Sequence, residues 1–409
     1  MSKGKDLLKC LACGSKNLKP VLDLGNQPLA NSYLKAPSDP EDKFPLALNV
    51  CDDCWHCQLS YTVNPNLMFK EYLYVSGTSK TLRDYMTWFA NFAYEAYRDK
   101  NRRNPTNFLD IACNDGTQLD AVKKLGLDTY GIDPADNLFE ISSKNHYVAC
   151  DYLTDRNYFN GATFDIINAQ NVFAHNTNPV DFLKNCKRLL NAGGLIFIQN
   201  SQADMIKNGE FDTMYHEHVS FWNASSINAA AERAGLIVVD RIRVPVHGTS
   251  DLFVLKKYEF PSGSYRFDNA LEMERSAGLH DMKIYREFGN KARASIKGFE
   301  IAMSHMQRDY PDRLYVGFGA AAKGMTFLNS CGITLDYIID ENPLKQGLYT
   351  PGSHIPIVGP DVLATNNDLI IVPLAWNFKE EIFRKVKEAR PNEDDRYVQH
   401  LPITSYGKI

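Results

Sequence analysis

The middle of the chain alternates short apolar runs with stretches whose apolar residues recur at helical spacing. Residues 107–126 (NFLDIACNDGTQLDAVKKLG) begin with an apolar run over Phe108–Ala112, continue through a polar turn, and take helical spacing from near Gly116. A second apolar run ends at Asp133, and a third covers Phe164–Asn168. This succession predicts a βαβ unit and a further strand of a doubly wound, mostly parallel α/β sheet.

Residues 180–200 (VDFLKNCKRLLNAGGLIFIQN) continue this alternation. Their first half predicts an amphipathic helix from apolar residues at helical spacing, namely Phe182, Leu183, Cys186, Leu189 and Leu190. We expect Gly193 and Gly194 to end that helix, and a buried strand to run on to Gln199.

The C-terminal part, from about residue 256, repeats the strand–turn–helix theme after a long helical stretch over 270–307. Residues 313–333 (RLYVGFGAAAKGMTFLNSCGI) carry Lys323 in a glycine-rich turn, and two further apolar runs follow, one ending at Asp340. This pattern predicts a second Rossmann-like unit. Backbone N–H groups and the lysine could bind a diphosphate there, with close apolar packing as the alternative role of the glycines.

Length and composition set the organisation and exclude several classes of protein. At 409 residues we expect separate domains, with boundaries at 1–75, 76–255 and 256–409. A net charge of -4 gives no reason to expect nucleic acid as partner. The sequence shows no signal peptide and no apolar run of about 20 residues, so we expect no membrane contact and a cytoplasmic location. We expect a monomer.

Four cysteines form a metal-binding pattern near the start. Cys10 and Cys13 make one CxxC pair, and Cys51 and Cys54 make a second. Two such pairs are typical of a closed structural zinc site, although Cys57 leaves Cys54–Cys57 open as the alternative second pair. The segment between the pairs shows little continuous helical or strand pattern. We therefore expect the metal to supply much of its folding energy.

The turn after the first predicted strand indicates the cofactor. Its single glycine, Gly116, does not make the GxGxxG fingerprint of dinucleotide-binding folds. Asp110 and Asp115 would repel a pyrophosphate, and they suit a ligand with a positive centre and an amino group. Asp133 is placed to hold a ribose diol. The combination favours S-adenosylmethionine (SAM) over NAD, with an acidic turn that binds no ligand as the remaining alternative.

Residues 211–222 (FDTMYHEHVSFW) hold two histidines, a glutamate and a tyrosine in four consecutive positions. A metal site is disfavoured because HEH lacks the HExxH spacing and no third ligand is evident. The segment follows a predicted central strand, where a catalytic loop can overhang a cofactor, so proton transfer competes with a simply polar loop. In an extended segment His216 and His218 would share one face, with Glu217 on the other. The pattern leaves open which histidine faces the cofactor.

Motifs spread over nearly all of the chain carry a resemblance to a known family. They are CLAC…CDDC, LDLGNQPLANSY, YLYVSGTS, DIACNDGT, NVFAH, FDTMYHEHVSF, GFGAAAKG, DENPLKQGLYTPGSHIPI and LAWNF. The chain resembles the SAM-dependent C-methyltransferases that act on nucleotide-linked deoxysugars. That family combines an N-terminal zinc segment, a central SAM-binding domain and a C-terminal sugar-nucleotide domain.

The resemblance implies methylation at the carbon next to a 4-keto group, at C3 of a nucleotide-linked keto-deoxysugar. A base removes the acidic C3 proton, the enolate is stabilised, and the carbon then takes the methyl group from SAM. The resemblance gives active-site roles to Tyr215, Glu217 and His218. We expect His218 to be the base, Tyr215 to position or protonate the sugar oxygen, and Glu217 to orient the site. His216 is then a structural neighbour.

The remaining site residues are expected at the strand ends and in the C-terminal turn. Expected cofactor contacts are Asp110, Ala112, Asn114, Asp115, Gly116, Asp133 and Asn171. Expected substrate contacts are Tyr74, His175, Lys323 and Lys345.

Other classes of function remain as alternatives. Two Rossmann-like units also suit an NAD-dependent sugar-nucleotide oxidoreductase or epimerase, which the acidic first turn argues against. A zinc-containing scaffold protein would require loss of the cofactor contacts, and those residues are present. RNA methylation is disfavoured because no basic patch with interleaved aromatic residues is evident.

Overall fold

The structure of the chain is a computed structural model that describes residues 3–69, 75–78, 80–201, 204–246, 248–258, 265–364 and 368–409. Tyr74, an expected substrate contact, lies outside these described residues. Within them, no helix combines the length and the apolar character needed to cross a membrane.

Strands and helices follow one another along the chain in three groups. The N-terminal group contains β1 (Gly4–Asp6), β2 (Leu18–Pro28), β3 (Lys43–Cys51), β4 (Cys57–Leu59) and β5 (Tyr61–Val63). The central group contains α1 (Lys80–Asn101), β6 (Asn107–Ile111), α2 (Thr117–Lys123), β7 (Asp128–Asp133), α3 (Asp136–Ser142), β8 (Tyr147–Cys150), β9 (Phe164–Gln170), α4 (Pro179–Leu189), β10 (Leu190–Asn200), α5 (Met205–Asn208), β11 (Ser220–Phe221), α6 (Ala224–Ala234), β12 (Leu236–Val244) and β13 (Ser250–Lys257). The C-terminal group contains α7 (Tyr265–Ser276), α8 (Met282–Asp309), β14 (Leu314–Phe318), α9 (Ala322–Cys331), β15 (Tyr337–Ile339), β16 (Ile357–Val358), β17 (Leu369–Pro373), α10 (Lys379–Ala389), β18 (Arg396–Gln399) and β19 (Ser405–Lys408).

The segment between the two cysteine pairs is largely β-structure, so the expectation of little regular structure there is wrong. β2 pairs with β3, β3 with β4, and β4 with β11, all antiparallel, in the order β11-β4-β3-β2. The register of β2 against β3 shifts twice, and Gly25 has a left-handed φ of +74° at the second shift. Such irregularities interrupt the period-2 pattern by which a strand is recognised in sequence.

The central sheet has the order β12-β13-β10-β9-β6-β7-β8. Strands β10, β9, β6, β7 and β8 run parallel, whereas β13 lies antiparallel to β10 and β12 antiparallel to β13. The carboxyl ends of the parallel strands therefore meet at one edge, where ligands of such sheets bind. The predicted α/β fold class, with a Rossmann-like central sheet, is confirmed.

One detail of the central sheet differs from expectation, because Gly193 and Gly194 do not end helix α4. The helix gives way directly to β10, and Leu190 already has extended backbone angles and pairs with Phe164. The register of β10 against β9 then shifts between Leu190 and Leu195, and Gly193 takes a φ of +76° within that irregularity. The glycine pair thus belongs to an irregular start of the strand.

The C-terminal sheet has the order β16-β15-β14-β17-β18-β19, parallel except at β19. Helix α9 follows β14 through a turn in which Gly319 has a φ of +88°. This strand–turn–helix unit is the second Rossmann-like unit predicted from the sequence. Helix α8 lies so close to β2 that a methyl group on Gly289 would collide with the Val21 carbonyl.

A single apolar core joins the N-terminal sheet, the loop after β10 and the C-terminal sheet. Its buried members include Leu48 of β3, Phe211 and Met214 of the loop, Phe299 of α8 and Phe327 of α9. The loop that carries the histidine cluster is therefore enclosed by elements from both ends of the chain.

Helix α7 packs with the central group of elements. Its residues Phe267 and Ala270 share a core with Leu183 of α4 and Ile227 of α6. The domain boundaries expected from the sequence stay predictions.

Candidate active site

The two CxxC pairs meet at one point beside the N-terminal sheet. The Sγ atoms of Cys10, Cys13, Cys51 and Cys54 all lie within 4.8 Å of one another, and the Cys10–Cys54 and Cys13–Cys51 pairs are each 3.5 Å apart. Zinc–sulfur bonds of about 2.3 Å in a tetrahedron place sulfur atoms about 3.8 Å apart. The four cysteines fit a closed zinc site, and Cys57 lies in β4 outside this cluster.

The turn after β6 takes an unusual backbone path. Ala112 has a φ of +60°, Asn114 of +53° and Gly116 of +85°, so every second residue is left-handed. Glycine normally fills such positions in turns that let a ligand approach the backbone. Asn171, after the neighbouring strand β9, also has a positive φ, of +53°. Left-handed non-glycine residues at adjacent strand ends are typical of a functional site.

Two buried carboxylates lie at the same edge of the sheet. Asp110 of β6 accepts a 2.7 Å hydrogen bond from the Asn168 amide, and burial raises the pKa of Asp110 to about 7. Asp133 of β7 accepts the backbone N–H groups of Asn114 at 2.8 Å and Ala135 at 2.9 Å. Burial raises the pKa of Asp133 as well, although these two donors oppose it.

A cavity of about 1130 Å³ begins at this edge and extends to the C-terminal group of elements. The expected site residues that line it are Asp110, Ala112, Asn114, Asp133, Asn171, His175, Tyr215, Glu217, His218, Lys323 and Lys345. One continuous space therefore joins the strand ends, the histidine loop and the two lysines. Asp115 and Gly116 do not line it. The Asp115 carboxylate instead accepts the backbone N–H of Gly77 at 2.9 Å and of Thr117 at 3.1 Å, which fixes the turn.

The histidine loop is a turn, so the expectation of extended alternation within it is wrong. The N–H of His218 donates to the Tyr215 carbonyl at 2.8 Å, which folds residues 215–218 back on themselves. Tyr215, Glu217 and His218 consequently line the cavity together. His216 is 1% exposed, and its Nε2 lies 3.2 Å from the Phe44 carbonyl of β3. His216 therefore contacts the N-terminal sheet.

Tyr215 and His218 form a hydrogen-bonded pair. His218 Nδ1 lies 3.0 Å from the Thr213 carbonyl, which can only accept, so Nδ1 carries the proton. The Nε2 lone pair then accepts the Tyr215 hydroxyl at 2.8 Å. The His175 ring centre lies 5.1 Å from that of His218, and burial lowers the pKa of His175 to about 4. His218 Nε2, paired with the Tyr215 hydroxyl, thus lies at the cavity wall.

Glu217 is the third member of the loop to face the cavity. It is 5% exposed, and its Oε1 accepts a 2.6 Å hydrogen bond from the Asn31 amide. Burial raises the pKa of Glu217 to about 7, and the Asn31 hydrogen bond opposes this rise. A carboxyl with such a pKa can hold or release a proton near neutral pH.

The C-terminal end of the cavity carries the two lysines. Lys323 lies in the first turn of α9, and its Nζ is 5.4 Å from the centre of the Trp376 ring. Lys345 donates to the Ala320 carbonyl at 2.7 Å, and its Nζ is 3.6 Å from Asp340. The first turn of a helix also presents backbone N–H groups, so this end combines two cations with helix donors.

Sequence reasoning missed several residues that line the cavity. Asn31 and Tyr33 come from the N-terminal part, and residues 151–155 follow β8. The LDLGNQPLANSY motif contains the first two, although nothing in its local pattern indicates a cavity. The position of residues 151–155 after a parallel strand was the available signal for them.

Three family models match the chain. A C-methyltransferase C-terminal domain matches residues 245–402, a methyltransferase domain matches 82–241, and a zinc binding domain matches 10–69. The chain is therefore a SAM-dependent C-methyltransferase with an N-terminal zinc-binding domain, and the predicted cofactors, SAM and zinc, are confirmed.

Particular relatives refine this assignment. The chain is 27% identical to the C-methyltransferase NovU of Streptomyces niveus, in a match that covers 96% of this chain and 95% of NovU. The ubiquinone biosynthesis O-methyltransferase of Coxiella burnetii (strain Dugway 5J108-111) is 25% identical over 36% of this chain and 71% of its own length. The solved plantazolicin methyltransferase BpumL in complex with SAH has a TM-score of 0.36 and 17% identity, covering 44% of this chain and 86% of that chain. A structural likeness of that size carries no argument.

Proposed function

We propose that this enzyme methylates the carbon next to the 4-keto group, at C3, of a nucleotide-linked deoxysugar. The observation that carries the proposal is the single cavity in which the Tyr215–His218 pair lies between the carboxylates of the first turn and the lysines of α9 and its neighbouring loop. The ends proposed for the methyl donor and for the nucleotide, and the proposed proton-transfer pair between them, border one space, which supports the proposal. The family resemblance of the sequence motifs supports the same reaction.

His218 is proposed as the base. Its Nδ1–H donates to the Thr213 carbonyl, and Nε2 is proposed to accept the proton from C3. A proton next to a ketone is acidic enough for a neutral imidazole to remove in a site that stabilises the enolate. The Tyr215 hydroxyl lies 2.8 Å from that nitrogen and is proposed to turn to the sugar oxygen when substrate binds.

Glu217 is proposed to orient the site and to hold a proton beside it. Its hydrogen bond with Asn31 ties the loop to the N-terminal part. His175, half-buried beside His218, is proposed as a substrate contact.

The nucleotide end is proposed to lie at the start of α9. Lys323, together with the backbone N–H groups of the first turn, suits a diphosphate, because both offer positive charge at one place. Lys345 and Asn342 line the same end. Tyr74 remains a proposed contact outside the described residues.

The cofactor end is proposed to consist of Asp110, Ala112, Asn114, Asp133 and Asn171. SAM, when bound there, supplies the methyl group. Asp133 is placed to accept a ribose hydroxyl, and the left-handed turn lets a ligand approach the backbone of Ala112. Asp115 and Gly116 are proposed to shape that turn rather than to touch the ligand.

The enzyme is also proposed to act as a monomer in the cytoplasm. A site of four thiolates persists in a reducing compartment. Light scattering after gel filtration tests the first point.

The proposal is tested by incubating the enzyme with SAM and a panel of nucleotide 4-keto-6-deoxysugars. We expect one member to gain 14 mass units, about the mass of a CH₂ group, and we expect SAM, not NADH, to bind in a titration. A His218→Asn variant should bind SAM as the wild type does but lose deuterium exchange at C3 in heavy water. No methyl gain on any member would contradict the substrate class, and unchanged exchange would remove His218 from the role of base.

A further inference from the structure

Asp212 anchors the start of the histidine loop to the C-terminal group of elements. Its side chain is fully buried, and Oδ2 accepts the indole N–H of Trp376 at 2.7 Å and lies 3.3 Å from His400 Nε2. Burial alone would raise the pKa of Asp212, but the hydrogen bond from His400 and the positive charge of Lys323 outweigh it and the pKa is lowered. A buried carboxylate requires such donors, so these contacts fix residue 212 in place.

The next two residues connect this anchor to the base. The Thr213 carbonyl accepts the Nδ1–H of His218 at 3.0 Å, which leaves Nε2 for Tyr215. The Met214 carbonyl accepts a 3.0 Å hydrogen bond from the buried hydroxyl of Thr326 on α9. The carbonyl that sets the tautomer of His218 therefore lies between two residues that are both bonded to the C-terminal group.

The same elements also carry the proposed nucleotide end. Thr326 is three residues after Lys323 on α9, and Lys323 lies over the ring of Trp376. The groups proposed to hold the substrate's diphosphate and the groups that hold the histidine loop thus lie on the same helix, α9, and on the Trp376 side chain that Lys323 contacts. A displacement of the loop by about 1 Å is enough to misplace a catalytic group.

We propose that Asp212, Trp376 and Thr326 are positioning residues through which the C-terminal domain keeps His218 in its Nδ1–H tautomer, with Nε2 ready to accept a proton. The inference rests on the proposed function only in naming His218 as the base. Besides binding substrate, the C-terminal domain then contributes to the chemical step, because it holds the histidine loop that carries His218.

The test pairs two disruptive variants with a conservative one. Trp376→Phe keeps an aromatic ring under Lys323 but removes the N–H that Asp212 accepts. Thr326→Val removes the hydroxyl at nearly constant volume, and Thr326→Ser restores it. The full-length zinc-loaded enzyme is labelled with ¹⁵N-histidine, and the tautomer of His218 is read from its ring ¹⁵N shifts, assigned by their loss in His218→Gln.

We expect the wild type and Thr326→Ser to show the Nδ1–H tautomer, and Trp376→Phe and Thr326→Val to show a mixture. We also expect kcat to fall roughly 10- to 100-fold in the two disruptive variants while KM for the sugar nucleotide stays within about twofold. A merely structural role would lower the melting temperature of both Thr326 variants alike and leave the tautomer unchanged.

The tautomer readout needs no substrate, so it separates this inference from the proposed function. If the wild type methylates no keto sugar but the disruptive variants lose the Nδ1–H tautomer, the positioning inference stands and the substrate class fails. If His218 has the same tautomer in all four proteins, or if the wild type lacks the Nδ1–H form, the inference is overturned whatever the activity.

Discussion

Replacing Glu217 by glutamine should stabilise the folded enzyme above neutral pH while slowing methyl transfer. The side chain is 5% exposed, and burial raises the pKa of its carboxyl from an ordinary value of 4.5 to about 7. Because the folded pKa is the higher one, the folded state keeps a proton that the unfolded state has lost. Stability therefore falls as pH rises from about 4.5 to about 7, and the loss persists above that range.

The two pKa values fix the size of this effect. The cost of keeping Glu217 buried grows from roughly 1 kcal/mol at pH 5 to roughly 3 kcal/mol at pH 8.5. Glutamine does not titrate, and it keeps an oxygen that can accept the hydrogen bond from Asn31. The free energy of unfolding of the variant should therefore exceed that of the wild type by most of this cost at pH 8.5 and by little at pH 5. Its activity should fall because the orienting carboxylate is lost.

The assay is urea unfolding of the wild type and Glu217→Gln at both pH values. Asp212→Asn is the matched control, because Asp212 is also a buried carboxyl but its pKa is shifted in the opposite direction. The pKa of Asp212 is lowered, so its ionised form contributes stability above the unfolded pKa that is lost only as pH falls below it. Asp212→Asn should thus be less stable than the wild type by a similar amount at pH 5 and pH 8.5. A Glu217→Gln variant that is no more stable than the wild type at pH 8.5 would refute the reasoning.

Three further predictions concern the metal and the two ends of the cavity. Removing zinc with a chelator should make residues 3–69 sensitive to protease and abolish methyl transfer, whereas full activity at less than about 0.1 zinc per chain would show that the metal is dispensable. Ala112→Val places a β-branched side chain at a φ of +60° and should weaken SAM binding at least tenfold by calorimetry, while Ala112→Gly should bind as the wild type does. Equal affinities of the two variants would exclude a close approach of the ligand at this turn. Lys323→Met should raise KM for the sugar nucleotide roughly tenfold without changing SAM affinity. Lys379→Met serves as its control. A KM that stays within about twofold in Lys323→Met would show that Lys323 does not bind the diphosphate.

Features that depend on short stretches of sequence were predicted well. The run Phe108–Ala112, the polar turn after it and the apolar run to Asp133 correspond to β6, the turn between β6 and α2, and β7, because a buried parallel strand appears in the sequence as a local apolar run. The zinc site followed from the spacing of two cysteine pairs, since the ligands of each pair are brought together by a single turn. In both places neighbouring residues determine the structure.

Features that depend on distant residues or on unusual backbone conformations were missed. Ala112 and Asn114 adopt left-handed backbone conformations, which are usually indicated in a sequence by glycine. Because neither residue is glycine, the shape of this turn was not predicted. Glu217 and Asn31 form a hydrogen bond although they are 186 positions apart in the chain. No local sequence pattern indicates such a contact. The fold of residues 215–218 into a turn likewise depends on the Thr213 carbonyl and the surrounding core.

The pairing of β4 with β11 also governs how the nascent chain matures. Gln58 and Cys57 find their partners, Ser220 and Phe221, only after the five strands β6–β10 have been synthesised. Until then β4 presents an open edge of backbone N–H and C=O groups, which is the usual template for pairing between separate molecules. The N-terminal sheet is thus completed only when residues 220 and 221 have been synthesised, and we expect metal bound early by the cysteines to hold its first strands together in the interval.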